Sequence, residues 1–217
     1  GVILLLLLVT VSLTQSVGAI LIGVPAGILV VLLLTYGRKA IPVIALLLVA
    51  GLITTFALTQ VSTRFANLLD FSSGTVFIRI RVWESTVEIL KNRPVTGLGL
   101  DQFLYEFSGH YVRPDAIADP DLSHPHNIVL DFWIRLGFAG VIWLATFMWV
   151  FWREAFRFIP IQETEKRIIL IGTIGAMTAL IAHGMIDNSV YVNDLVYIFV
   201  LLIGIVVQLS QGQNSSE

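Results

Sequence analysis

The sequence predicts an all-α, polytopic transmembrane protein with one long extracytoplasmic loop that contains short amphipathic helices. Three observations support this fold class. Hydrophobic residues make up 56% of the 217-residue chain, and the mean hydropathy is +0.87. Charged residues account for only 13%, about half of the ~25% that is usual in globular proteins. Apolar runs of roughly 20 residues, the length at which a helix crosses a bilayer, recur along the chain.

The apolar runs define the expected membrane segments. We expect spans near residues 2–13, 17–36, 40–59, 128–152, 168–186 and 190–209. The first run is too short to cross a hydrocarbon core of ~30 Å at ~1.5 Å per residue, and the chain begins at Gly1, so we expect further spans upstream. The predicted regions are N-terminal spans (1–60), an extracytoplasmic loop (61–126), C-terminal spans (127–209) and a polar cytoplasmic tail (210–217).

The placement of lysine and arginine predicts the orientation. Basic residues are concentrated in two short connections, which contain Arg38, Lys39, Arg153, Arg157, Lys166 and Arg167. The opposite connections, at residues 14–16 and 187–189, contain no lysine or arginine. By the positive-inside rule the basic connections are cytoplasmic, so the long loop faces outward. The chain has no cysteine, which excludes disulfides, a thiol nucleophile and zinc–thiolate sites.

One segment of the loop has helical periodicity. Its apolar residues follow a 4,3,4,3 spacing at Val76, Ile80, Trp83, Val87 and Leu90. This spacing forms one stripe of an amphipathic helix, which Pro94 should end. The turn after it contains Gly97 and Gly99, which we interpret as a tight turn because no strand precedes them and no third glycine follows.

Two arginines on this helix have different surroundings. Arg81 is on the face opposite the stripe, beside Glu84 and Glu88, which is typical of a solvated ion pair. Arg79 is near the centre of the stripe, with no acid three or four residues ahead. An arginine without a nearby acid is a candidate for binding an external anion. Snorkelling to lipid headgroups is the alternative.

Two histidines precede the fourth expected span. His126 and Asn127 stand where a helix N-terminus favours anions, and an imidazole there can accept a proton from a hydroxyl as a general base. Together with Asp119 and Asp121, His124 and His126 are potential ligands for a divalent metal. Because prolines and short spacings should keep these four off a common face, we expect an ordered polar loop without a metal.

Two pairs with i,i+4 spacing occur near the expected outer ends of spans. Asp131 and Arg135 should neutralise each other, which makes a structural role the stronger interpretation. His183 and Asp187 repeat the arrangement. They either pair with each other or face one polar cavity, and structural pairing is favoured.

Four motifs in order resemble the C-terminal half of the O-antigen ligase and O-antigen polymerase family. They are Arg79-x-x-x-Trp83, Arg93-Pro94 with Gly97-x-Gly99-x-x-x-Phe103, His126-Asn127-x9-Gly137-x-x-Gly140, and His183-Gly-Met-Ile-Asp187-Asn188. The resemblance covers most of the chain. It implies a polytopic helical glycosyltransferase of the bacterial inner membrane, with the long loop in the periplasm, and further spans upstream.

The resemblance also implies substrates and residue roles. The donor is a glycan linked to undecaprenyl diphosphate, and the acceptor is a lipid A core or another saccharide, with no cofactor, metal or nucleic acid. Arg79 corresponds to an arginine that holds the diphosphate, and His126 to the histidine that activates the acceptor hydroxyl. The other expected substrate-binding residues are Asn127, Arg113 and His124, and the expected supporting residues are Trp83, His183 and Asp187.

One position departs from the family pattern. Val17 stands in Thr14-Gln15-Ser16-Val17-Gly18, where the family commonly has Ser-Arg-Gly with a second diphosphate-binding arginine. Loss of a cation from such a site costs several kcal/mol of leaving-group stabilisation, unless Arg64 or Arg113 replaces it.

Three functional hypotheses follow from the sequence. The first is O-antigen ligase-like transfer to a hydroxyl acceptor. The second is polymerisation of an O-antigen or exopolysaccharide, where the acceptor is another lipid-linked repeat. The third is a transporter or a non-catalytic membrane subunit with a polar pathway along Asp131, Arg135, His183 and Asp187. Inverted repeats or broken helices would favour transport, and the sequence shows neither.

Overall fold

A computed structural model describes residues 6, 9–11, 13, 14, 16–67, 70–116, 122–161, 163–187 and 190–214. These residues belong to two compact units. The first comprises Gly1–Ile44, Trp149–Gly184 and Ser189–Glu217, and the second comprises Ala45–Met148 and Met185–Asn188. Throughout the described ranges the regular structure is helical, in agreement with the predicted all-α class.

The α-helices follow one another along the chain with short 3₁₀ and π segments between some of them. Their bounds are α1 (Val24–Tyr36), α2 (Ile41–Val61), α3 (Thr63–Ala66), α4 (Gly74–Asn92), α5 (Phe103–Glu106), α6 (Ile128–Leu136), α7 (Phe138–Phe158), α8 (Thr164–Gly184) and α9 (Asn193–Asn214). A π-helical segment, Ala19–Gly23, leads into α1, and another, Phe107–Tyr111, follows α5.

Three of the described helical stretches are long and apolar enough to cross a membrane. They are Ala19–Val61, Thr164–Gly184 and Asp194–Gln211, with 43, 21 and 18 residues. The first is long enough for two crossings at ~20 residues each, and Gly37, with φ +58°, ends α1 within it. These stretches agree with four expected spans: 17–36, 40–59, 168–186 and 190–209. The expected span at 2–13 lies largely outside the described residues.

Small residues bring helices of the first unit close together. A Cβ on Gly27 of α1 would lie 2.8 Å from the carbonyl oxygen of Gly175 on α8, and a Cβ on Gly23 would lie 3.1 Å from the carbonyl oxygen of Ala179. Backbone contact of this kind is the usual way in which membrane helices pack, because apolar side chains gain nothing by leaving lipid.

The second unit has a small core formed by α4, the segment at residues 103–107, Leu122 and α6. Its buried members are Val82, Ile89, Leu90, Phe103, Phe107, Leu122 and Ile134. The predicted helix is present as α4 and ends before Pro94, as expected, but its buried face follows the predicted stripe only in part. Of the stripe's members Leu90 is buried, Val87 is 42% exposed, and Ile80 and Trp83 line an open cleft.

Two hydroxyl residues explain the difference. Ser85 and Thr86 on α4 are both buried. The Ser85 hydroxyl donates to the carbonyl of Tyr111 at 2.8 Å, and the Thr86 hydroxyl donates to the carbonyl of Val82 at 2.7 Å. Because their hydrogen bonds are satisfied, these side chains can be buried at little cost, so the buried face is not the most hydrophobic one.

The expected span at 128–152 is not one continuous helix, because the helix is broken at Gly137. Gly137 has φ +70° and separates α6 from α7. The turn at residues 95–98 packs into the break: the Leu98 N–H donates to the carbonyl of Ile134 at 2.7 Å, and the Phe138 N–H donates to the carbonyl of Val95 at 3.1 Å. A Cβ on Gly137 would clash with the backbone of Val95. The glycine therefore allows two chain segments to touch.

Candidate functional site

The segment before α6 is anchored by Asn127. Asn127 caps α6, and its Oδ1 accepts from the backbone N–H groups of Val129 and Leu130, each at 3.0 Å. Its Nδ2 donates to the carbonyl of Met185 at 2.8 Å. One side chain thus caps the start of the helix and ties it to residues 185–187 within the same unit. This fixes the position of the neighbouring His126, whose φ of +52° is unusual for a residue other than glycine.

His126 and Arg79 meet on a single carboxylate, that of Asp187. The Nδ1 atom of His126 is 3.0 Å from one oxygen of Asp187, and an Nη atom of Arg79 is 3.1 Å from the other. The three side chains are partly exposed, at 21% for His126, 21% for Arg79 and 28% for Asp187. We refer to His126, Asp187 and Arg79 as the loop triad. Its members are near enough to solvent to meet a substrate.

The triad geometry assigns the proton on His126. An ionised carboxylate can only accept hydrogen bonds, so Nδ1 of His126 carries the hydrogen that faces Asp187. In a neutral imidazole the lone pair is then on Nε2. A carboxylate that holds one ring nitrogen and leaves the other free to accept a proton is the arrangement of an oriented general base.

Arg79 differs from its prediction in one respect. The sequence showed no nearby acid, but the structure provides Asp187, which is 108 residues away along the chain. The Nε atom of Arg79 is buried and has no hydrogen-bond partner among the described residues. Buried donors normally have acceptors, so this N–H is an unsatisfied donor among the described residues.

His124 lies beside His126. Their ring centroids are 4.3 Å apart, and Nδ1 of His124 is 3.0 Å from the hydroxyl oxygen of Ser123. Burial, followed by the neighbouring His126, lowers the pKa of His124 from 6.5 to about 4, so the ring is neutral at neutral pH. The structure therefore brings the two histidines of the predicted four-residue set together.

The two histidines and Asp187 form a cluster of possible metal ligands. One ligand atom from each of His124, His126 and Asp187 lies within 4.8 Å of the other two. The other two possible ligands predicted from the sequence, Asp119 and Asp121, lie outside the described residues. The acid in the cluster is Asp187. The sequence analysis had favoured pairing of Asp187 with His183.

Arg81, Arg113 and Trp83 are arranged around a different part of α4. Arg81 pairs with Glu84 at 2.9 Å, as predicted, and also with Asp115 at 2.9 Å. Arg113 lies 3.5 Å from Glu84. Trp83 and Arg113 line one cleft of about 580 Å³, and the indole nitrogen of Trp83 is buried with no hydrogen-bond partner among the described residues. Arg64 has no described side chain.

The two pairs predicted from i,i+4 spacing, Asp131–Arg135 and His183–Asp187, have different outcomes in the structure. Asp131 and Arg135 form the predicted ion pair at 2.8 Å, and both are buried. Asp101, with φ +58°, also binds Arg135, a contact that the sequence interpretation did not include. His183 belongs to the first unit, where its Nε2 is 3.5 Å from the hydroxyl oxygen of Ser16.

Comparison with known proteins adds one finding. A family model described as O-antigen ligase matches residues 2–145, about two thirds of the chain. The matched range includes Arg79, His126 and Asn127, and it ends before Asp187. No curated protein and no solved structure matches the chain.

Proposed function

Because the chain belongs to the O-antigen ligase family, we propose that it transfers a glycan from an undecaprenyl-diphosphate donor to a hydroxyl of a saccharide acceptor. Family membership and the membrane-span-like helices support a membrane glycosyl-transfer function in general. The observation that carries the specific proposal is the loop triad, in which Asp187 holds a histidine base and an arginine side by side.

His126 is the proposed general base. Asp187 holds the Nδ1–H group, so Nε2 of His126 accepts the proton of the acceptor hydroxyl as its oxygen attacks the anomeric carbon of the donor sugar. The new glycosidic C–O bond forms while the C–O bond to the diphosphate breaks. General-base catalysis of this kind contributes ~10²- to 10⁴-fold in rate. The imidazolium that forms is stabilised by the Asp187 carboxylate.

Arg79 is the proposed anion-binding residue for the leaving group. The diphosphate gains negative charge as the C–O bond breaks, and a guanidinium placed there stabilises it through charge-assisted hydrogen bonds. The Arg79 side chain is 21% exposed and lies beside His126 on the same carboxylate, which supports this role. Since a fixed arginine can supply the charge that a metal ion would supply elsewhere, we propose that transfer needs no metal.

The direct test uses purified full-length protein in lipid nanodiscs with a lipid-linked glycan donor. Transfer to a lipid A core acceptor identifies a ligase, and lengthening of the donor glycan without that acceptor identifies a polymerase. We expect transfer to persist in EDTA. If neither product forms with any lipid-linked donor, the proposed activity is wrong.

The broken helix at Gly137 bears on the transport alternative. Broken helices in transporters expose free backbone groups to a cavity. Here the break is filled by the turn at residues 95–98, whose backbone groups bond to those of Ile134 and Phe138. The break therefore lends no support to transport, and glycan transfer is the better proposal.

We further propose that the loop at residues 61–126, which contains Arg79 and His126, faces the periplasm of a bacterial inner membrane. The lysine and arginine asymmetry of the connections supports this orientation. The cysteine-free chain permits single-cysteine labelling in intact cells. We expect an impermeant reagent to label Ser108→Cys in the loop and not Glu163→Cys, which precedes α8. Labelling of the second variant alone would reverse the orientation.

A further inference from the structure

We propose that His124, His126 and Asp187 form a binding site for a divalent cation of the zinc type, and that its occupation inhibits transfer. The inhibitory part rests on the proposed function, since it depends on His126 being the base. The site itself does not.

The geometry supports a three-ligand site. One ligand atom of each residue lies within 4.8 Å of the other two. In a tetrahedral zinc site with bonds of ~2.1 Å, ligand atoms are ~3.4 Å apart. Small side-chain rotations close this difference, because His126 and Asp187 are already 3.0 Å apart and the rings of His124 and His126 are in contact.

The chemistry of the ligands selects the cation. Two imidazoles and one carboxylate are the nitrogen and oxygen ligands that zinc prefers, whereas magnesium and calcium favour oxygen ligands alone. All three residues are partly exposed, so an ion can reach them, and water completes the fourth position. Arg79 on the other oxygen of Asp187 opposes a second cation, so we expect weaker binding than at structural zinc sites.

Occupation of this site is incompatible with general-base catalysis. A neutral imidazole has one lone pair for a proton or a metal ion. Whichever nitrogen of His126 binds the cation, that lone pair is used and the ring cannot accept the proton of the acceptor hydroxyl. The cation also recruits Asp187, which otherwise orients His126. Inhibition should therefore follow the occupancy of the site.

The experiment measures zinc binding and transfer separately on metal-free, full-length protein in nanodiscs. Calorimetric titration with zinc should show a site that His124→Ala weakens at least ~10-fold, since even loss of a residue outside the ligand shell costs 10- to 100-fold. The matched control is His110→Ala, which removes a largely exposed histidine of the same loop and should leave binding unchanged. Transfer by the unmodified protein should fall at the zinc concentrations that fill the site and return on addition of EDTA.

Two results would overturn the inference. Zinc affinity that is equal in the unmodified protein and His124→Ala would show that zinc binds elsewhere. Zinc binding at the cluster that leaves transfer unchanged, or increases it, would exclude inhibition. Failure of the proposed function is recognised independently, because it would appear as metal-free transfer by a His126 variant, whereas the titration requires no transfer.

Discussion

Replacement of Asp187 by asparagine tests the organisation of the loop triad. The carboxylate offers two acceptors, one for His126 at 3.0 Å and one for Arg79 at 3.1 Å. An amide has one acceptor oxygen and one donor nitrogen. Asparagine can therefore satisfy only one of the two residues. If the oxygen faces Arg79, the amide N–H faces Nδ1 of His126, and the ring must adopt the tautomer that has no lone pair on Nε2.

The expected size of the effect separates a positioning role from a structural one. Both contacts of Asp187 are partly exposed, and contacts of this kind contribute ~0 to 1 kcal/mol to folding, so the variant should fold. Loss of the oriented base should lower kcat ~10²-fold or more, which is about 2.7 kcal/mol or more at ~1.36 kcal/mol per tenfold. The effect on catalysis therefore exceeds the effect on stability.

The assay is steady-state transfer from a purified lipid-linked donor, together with thermal unfolding of the same preparation. A lower kcat at nearly unchanged stability is the predicted result. Asp115→Asn is the matched control, because it removes an exposed carboxylate whose partner is Arg81 and should leave kcat unchanged. Equal kcat values for Asp187→Asn and the unmodified protein would refute the role of Asp187 as an orienting residue.

Other predictions follow from the same structure. Arg79→Ala should lower kcat/KM for the donor ~10²-fold, whereas Arg81→Ala should change it less than about twofold, because an exposed ion pair contributes little. Equal losses in the two alanine variants would contradict this difference. Arg79→Lys should restore only part of the activity, since it keeps the charge and loses the planar fork. Gly97→Ala places a Cβ 2.5 Å from the carbonyl oxygen of Ile134 at φ +63°, so it should destabilise the protein by roughly 3 kcal/mol or more in thermal unfolding. Gly109→Ala, whose Cβ would meet nothing within 4 Å, is its control, and equal stability of the two would show that the contact is misplaced.

The parts of the site that the sequence could predict are those set by local pattern. Asn127 before an apolar run is a helix-capping signal, and Asn127 does cap α6. The i,i+4 spacing of Asp131 and Arg135 predicted their ion pair correctly. The Arg81–Glu84 pair could also be predicted from the sequence, because a helix brings residues three positions apart together.

The contacts made by Asp187 could not be predicted, because they join distant parts of the chain. Asp187 is 61 residues from His126 and 108 from Arg79. Spacing within the chain indicates only the local partner, His183. Its position after the end of α8, where the chain leaves the helix, was the one sign that its carboxylate was available for other contacts.

The break at Gly137 and the buried face of α4 were missed for related reasons. A glycine within an apolar run does not by itself end a helix, and only the approach of residues 95–98 shows why Gly137 takes a positive φ. On α4, hydrophobicity favoured Val87 over Thr86, but the internal hydrogen bond of Thr86 permits its burial.

The central claim is that His126 accepts the proton of the acceptor hydroxyl. The most direct measurement is the single-turnover rate of transfer in His126→Gln, with saturating donor and acceptor and with His110→Ala as the control histidine. Glutamine keeps a polar side chain of similar reach but cannot take up a proton, so the rate should fall ~10²- to 10⁴-fold, and His124→Ala should show a smaller loss. A single-turnover rate close to that of the unmodified protein in His126→Gln would contradict the claim.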